Sequence, residues 1–123
     1  MYTARVEEWF AAAHFLENFH GKCENLHGHN YRVRVTVEGN VLDNGGMLCD
    51  FGILKSALKI VFEELDHKNL NDLSFFSDGN PSAERIAEYI YLEMEKELNI
   101  KPAELSVVEV FETHKHVASY SRK

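Results

Sequence analysis

The chain has 123 residues, enough for one domain with one core. Its 45% hydrophobic and 27% charged content is that of an ordinary globular protein, and no apolar run approaches the roughly 20 residues a membrane helix needs. The net charge of −7 argues against a nucleic-acid-binding surface, which requires a basic footprint, but leaves room for a local basic pocket.

The N-terminal stretch lacks the apolar segment of a signal peptide, and the two cysteines, Cys23 and Cys49, come without other marks of secretion. The expectation is a cytoplasmic protein with both thiols reduced. Residues 2–15 read as a first strand whose alanine run at 11–13 has modest strand preference. Residues 16–26 form a loop containing Asn18, Gly21 and Asn25, and this loop carries Cys23. Residues 29–38 give the clearest strand: Tyr31, Val33, Val35 and Val37 alternate with Arg32, Arg34, Thr36 and Glu38. Turn chemistry follows at Gly39-Asn40 and Asp43-Asn44-Gly45-Gly46, and Met47 to Phe51 read as a short extension returning toward the sheet.

Residues 53–65 follow a helical period, with Ile53, Leu54, Ala57, Leu58, Val61, Phe62 and Leu65 on one stripe. The segment 66–80 is polar and turn-rich. A second helix is expected from about Asn80-Pro81, with Asn80 as cap, Ile86, Ala87, Ile90, Tyr91, Met94 and Leu98 as its apolar stripe, and a stop before Pro102. Residues 104–113 make a third long strand, with Val108, Val110 and Glu112 on one face, and residues 115–121 return as a hairpin. The order ββααββ predicts a single α+β domain over residues 1–123: an antiparallel four-stranded sheet with two helices on one face.

Chemistry concentrates in Cys23-Glu24-Asn25-Leu26-His27-Gly28-His29. Residues two apart in a strand share a face, so His27 and His29 can point at one metal ion. If the first two strands pair antiparallel, His14 returns beside them. Three imidazoles with an open fourth position are the donor set of a catalytic zinc. Cys23 is either a fourth ligand, a buried free thiol, or a base whose thiolate the nearby positive charge favours. Asp66-His67 is either a solvated helix end or a proton-transfer pair. Glu112 closes a partly apolar row at a strand end. Cys49 reads as packing, and His114 and His116 as an exposed strand end.

Phe10-Ala11-Ala12-Ala13-His14 and Cys23-x3-His27-Gly28-His29 together resemble the zinc motif of the 6-pyruvoyl-tetrahydropterin synthase family. Met47-Leu48-Cys49-Asp50-Phe51, Leu65-Asp66-His67-Lys68-Asn69-Leu70-Asn71 and Phe111-Glu112-Thr113 match in order, so the resemblance covers nearly the whole chain. It is nearest the 6-carboxy-tetrahydropterin synthase branch of queuosine biosynthesis. The resemblance implies the tunnelling fold, assembled as a hexamer built from trimers, and a zinc ion (Zn2+) on His14, His27 and His29. It implies a proton relay through Cys23, Asp66 and His67, and a pterin ring anchored by Glu112, which the resemblance also allows as a member of the relay. The implied reaction converts 7,8-dihydroneopterin triphosphate to 6-carboxy-5,6,7,8-tetrahydropterin, acetaldehyde and triphosphate. The alternative within the family eliminates triphosphate alone to give 6-pyruvoyl-tetrahydropterin. An alternative of another class is a non-enzymatic zinc-binding assembly module. Glu24, beside Cys23, leaves two candidates for the base, because some family variants carry glutamate near this position.

Overall fold

The computed structural model describes residues 1–17 and 25–123. Cys23 and Glu24 lie outside the described residues. Strand β1 (Tyr2–His14) and strand β2 (His27–Gly39) pair antiparallel along their whole lengths. Helix α1 (Phe51–Phe62) follows, then a two-residue strand β3 (Lys68–Asn69) and two 3₁₀ turns at Leu70–Asp72 and Ser74–Phe76. Helix α2 (Ala83–Glu97) and the hairpin β4 (Glu104–Phe111) and β5 (Val117–Tyr120) complete the chain.

The sheet has five strands in the order β3-β1-β2-β4-β5, not four. Strand β3 runs parallel to β1 at Ala12–Ala13, so the sheet is mixed rather than antiparallel. This corrects the ββααββ expectation. Two polar residues carry no periodic signal, and their pairing is dictated by the backbone groups that β1 leaves open along its outer edge.

The alternation expected for β2 is present: Tyr31, Val33, Val35 and Val37 are fully buried. They pack with Val6, Phe10 and Ala12 of β1 and Val108 and Val110 of β4 beneath both helices. Each buried valine or phenylalanine among them contributes roughly 1.5–3 kcal/mol by leaving water. Helix α1 buries Leu54, Ala57, Leu58, Val61 and Phe62, while Ile53 and Ile60 stay about half exposed. Helix α2 buries Ile86, Ala87, Ile90, Tyr91 and Met94. Between β2 and β4 the register slips by one residue beside Thr36 and Val37, which turns Leu105 toward the core.

Two local expectations change. Met47 to Phe51 adds no strand: Asp50 caps α1 by accepting the Gly52 N–H at 2.7 Å, and Phe51 opens the helix. Helix α2 is capped by Ser82, whose hydroxyl accepts the Arg85 N–H at 3.2 Å, because the Asn80 side chain is engaged elsewhere. No described helix is long and apolar enough to cross a membrane.

Candidate metal centre

The register of β1 on β2 sets His14 directly opposite His27, and Ala12 opposite His29. Opposed residues of an antiparallel pair share a face, and a diagonal neighbour two positions on stays within reach. The three imidazoles therefore converge on the helix-covered side of the sheet. One ring nitrogen from each lies within 4.8 Å of the others. The rings stand edge-on, with centroids 4.6 Å apart for His14 and His27, 4.9 Å for His27 and His29, and 5.3 Å for His14 and His29.

Hydrogen bonds fix two tautomers. His14 Nδ1 lies 2.7 Å from the Pro81 carbonyl oxygen, and His27 Nδ1 lies 2.8 Å from that of Asn25. A carbonyl only accepts, so both Nδ1 atoms carry the proton and donate. Both Nε2 lone pairs then face each other across 3.0 Å, with no proton to share between them. Two lone pairs at that distance repel unless a cation lies between them. Ligand atoms of a tetrahedral zinc at roughly 2.0–2.1 Å stand about 3.4 Å apart. The donor set thus fits a zinc ion, and imidazole donors also suit copper, nickel and iron.

Burial matches that fit. His14 is 1% exposed, whereas His27 and His29 are half-buried and leave one side open. Burial holds the His14 imidazole below its ordinary pKa, helped by the neighbouring His27 and His29 and opposed by the Pro81 bond and the Glu112 charge. Burial also lowers His29, against the pull of Glu112. Neutral imidazoles are the form that binds a metal.

Glu112 continues the Val108–Val110 row just past β4, and its Oε2 comes 3.9 Å from His29 Nε2. That is too long for a hydrogen bond and places the carboxylate beside the cluster, not within it. Tyr31, read from the sequence only as core, lies under the site. Its hydroxyl is 3.3 Å from His14 Nδ1, its ring stacks on Phe10 with centroids 4.9 Å apart, and burial and then Glu112 push its pKa far up. The signal was present: Tyr31 is the next residue of the His27, His29 row. The Pro81 and Asn25 carbonyls left no trace in the pattern.

Asp66 and His67 follow the end of α1. Asp66 Oδ1 accepts the Ala11 N–H at 2.9 Å, and Oδ2 lies 3.1 Å from His67 Nδ1. His67 has a φ of 60°, a left-handed turn that aims its largely exposed ring outward. An open cleft of about 480 Å³ is lined by Ala11, Ala13, Gly28, His29, His67 and Lys68 among others. Ala11, Ala13 and Gly28 alternate with Ala12, His14, His27 and His29, so this cleft lies on the face of the sheet turned away from the helices, opposite the imidazoles, and His67 borders it there. A side chain at Gly28 would meet only the Ala12 carbonyl oxygen at 3.7 Å, so this glycine is not demanded by close packing; it keeps the cleft floor low.

The remaining candidates lie elsewhere. His114 and His116 are exposed in the β4–β5 turn, where Thr113 Oγ1 and His116 Nδ1 are 2.8 Å apart. Cys49 is half-buried against the core, and burial followed by the Asp50 charge raises its thiol pKa.

The family model described as 6-pyruvoyl tetrahydropterin synthase matches residues 3–123. The chain is 38% identical over 104 residues to the 6-pyruvoyl tetrahydrobiopterin synthase of Drosophila melanogaster, covering 81% of this chain and 61% of that protein. It is 40% identical over 125 residues to the 6-carboxy-5,6,7,8-tetrahydropterin synthase of Synechocystis, covering 98% of this chain and 93% of that one. The solved structure of the Caenorhabditis elegans 6-pyruvoyl tetrahydropterin synthase superposes with a TM-score of 0.88 at 31% identity, over 99% of this chain and 96% of that one. With its three histidines gathered on a tunnelling-type α+β scaffold, the chain belongs to the 6-pyruvoyl tetrahydropterin synthase family, whose members are lyase-type enzymes.

Proposed function

We propose that this protein is a zinc-dependent pterin synthase that eliminates triphosphate from 7,8-dihydroneopterin triphosphate to give 6-pyruvoyl-tetrahydropterin. The observation that carries the chemistry is the pair of inward Nε2 lone pairs at 3.0 Å, completed by His29 and left open toward solvent. The reaction needs no external oxidant: the pterin ring gains the two hydrogens that the side-chain carbons lose, and triphosphate leaves. Zinc held by His14, His27 and His29 supplies Lewis acidity to a substrate oxygen.

The other steps fall to side chains of this chain. Cys23, outside the described residues, is the base that takes a proton from the substrate side chain. His67, paired with Asp66 and largely exposed, passes protons on. Glu112 accepts two parallel hydrogen bonds from the amino group and ring N–H of the pterin.

The pyruvoyl product is favoured by the likeness to the Caenorhabditis elegans enzyme over 99% of the chain. This departs from the carboxy branch to which the sequence resemblance is nearest. The second reading, cleavage to 6-carboxy-tetrahydropterin and acetaldehyde, is supported by the near-complete match to the Synechocystis protein, whereas the chain spans 61% of the Drosophila one. Incubating the zinc-loaded protein with dihydroneopterin triphosphate, with products read by mass spectrometry, decides. Pyruvoyl-tetrahydropterin with triphosphate is expected. Carboxy-tetrahydropterin with acetaldehyde moves the protein to the other branch. No turnover with zinc bound overturns both and leaves a metal-binding module.

A further inference from the structure

The outer edge of β1 is followed by residues 66–71, and again by Asn80, in an unusual way. Alternate residues of a strand present their N–H and C=O to the same edge. At Ala11 these groups meet Asp66 Oδ1, at 2.9 Å, and the His67 N–H, at 2.6 Å. At Ala13 the partner is Asn69 of β3. At Phe15, beyond the end of β1, the Asn71 carboxamide takes both groups: its oxygen accepts the Phe15 N–H at 2.9 Å and its nitrogen donates to the Phe15 carbonyl at 3.0 Å. At Glu17 the Asn80 carboxamide does the same, with both bonds at 2.8 Å.

A carboxamide offers the same donor and acceptor as a peptide group, so each asparagine supplies one complete rung of a ladder. The ladder runs over residues 11, 13, 15 and 17 and passes the metal-ligating His14 on both sides. Asn69 Oδ1 in turn accepts the Asn71 N–H at 3.1 Å, which fixes the residue that carries one of the clamps. Asn80 immediately precedes Pro81, whose carbonyl accepts from His14 Nδ1. The two-residue unit Asn80-Pro81 therefore grips the backbone beyond His14 and the imidazole of His14 together.

We propose that Asn71 and Asn80 are positioning residues of the histidine cluster: their carboxamides stand in for a neighbouring strand along Phe15 and Glu17 and hold His14 against the Pro81 carbonyl, with Nε2 aimed inward. The inference rests on the cluster being a zinc site. It assigns a role to a segment that composition alone marks as polar turns. Outer-shell partners of this kind typically change metal affinity about 10- to 100-fold when altered.

The test uses Asn71→Asp and Asn80→Asp. Each keeps an oxygen for the backbone N–H and turns the other oxygen onto a backbone carbonyl. Zinc affinity is measured by chelator competition, and the His14 tautomer by nitrogen NMR of the metal-free protein. Each variant should bind zinc at least about 10-fold more weakly and lose part of the Nδ1–H tautomer at His14. A core variant remote from the site and chosen for similar thermal destabilisation, Ile90→Val, should leave both readouts unchanged. Affinity within about twofold of the parent and an unchanged tautomer overturn the proposal, as does an equal loss in Ile90→Val. If an aspartate variant fails to fold, the serine variant at the same position, Asn71→Ser or Asn80→Ser, removes the same clamp and is held to the same outcomes. A parent protein that binds no zinc sinks the zinc reading instead, and the tautomer measurement still decides the clamp.

Discussion

At the scale of single residues, the cluster rests on three nitrogens and two carbonyls. His27 Nε2 faces that of His14 at 3.0 Å, so His27→Ala removes one side of the site. Zinc affinity should fall at least about 100-fold, with the fold retained because His27 is half-buried at a strand end. Full zinc retention, measured by metal analysis after dialysis, would refute the ligand assignment. A pH effect follows from the same groups. Burial holds His14 and His29 below the ordinary imidazole value, so the folded metal-free chain takes up these protons at lower pH than the unfolded chain. Stability is then fully present above the unfolded value, about 6.5, and is lost as pH falls through the lowered folded values. The metal-free protein should melt at lower temperature at about pH 5.5 than at about pH 7.5. His29→Gln should reduce that difference, and an unchanged difference would remove His29 from the account.

At the scale of elements, caps and edges decide more than propensity. Asp50 stops the preceding loop and starts α1 by taking the Gly52 N–H. Asp50→Ala should cost about 1 kcal/mol of stability in denaturant unfolding while leaving zinc affinity untouched, since the cap is not part of the cluster. The long amphipathic elements were legible because their signal is local. Tyr31, Val33, Val35 and Val37 alternate, and Leu54, Ala57, Leu58 and Val61 return every three or four residues; all face the core as expected. Strand β3 was not legible, because Lys68 and Asn69 pair only with the edge that β1 presents. The same is true of Asn80. From its place before Pro81 it reads as a helix cap, yet the open backbone of Glu17 claims its carboxamide.

At the scale of the whole molecule, the sheet ends in two edges. Strand β5 is outermost on one side, and on the other the outer edge of β1 has no strand partner from Tyr2 to Phe10 among the described residues. Unpaired edges of that length invite another chain. The family resemblance implies closure into rings, and we expect a particle of about six times the 14.2 kDa chain mass by light scattering. A monomer would leave the edges exposed and contradict that assembly. Trp9, 56% exposed on the face turned away from the helices, offers a fluorescence signal for the same transition.

Side-chain alternation and helical periodicity carried the strand and helix faces in the sequence, and they bring His14 to His27 and His29 once the first two strands pair antiparallel, as they do. The sequence also carried the family, through motifs spread over nearly the whole chain. The tertiary structure alone decided the fifth strand, the protons on His14 and His27, the place of Tyr31 beneath the cluster, and the use of Asp66, Asn71 and Asn80 along the β1 edge. Each of these depends on a backbone N–H or C=O, or a buried ring, 17 to 67 residues away along the chain or at a turn with no periodic signal. Such groups are identical at every residue and are chosen by position, so no pattern of side chains announces them.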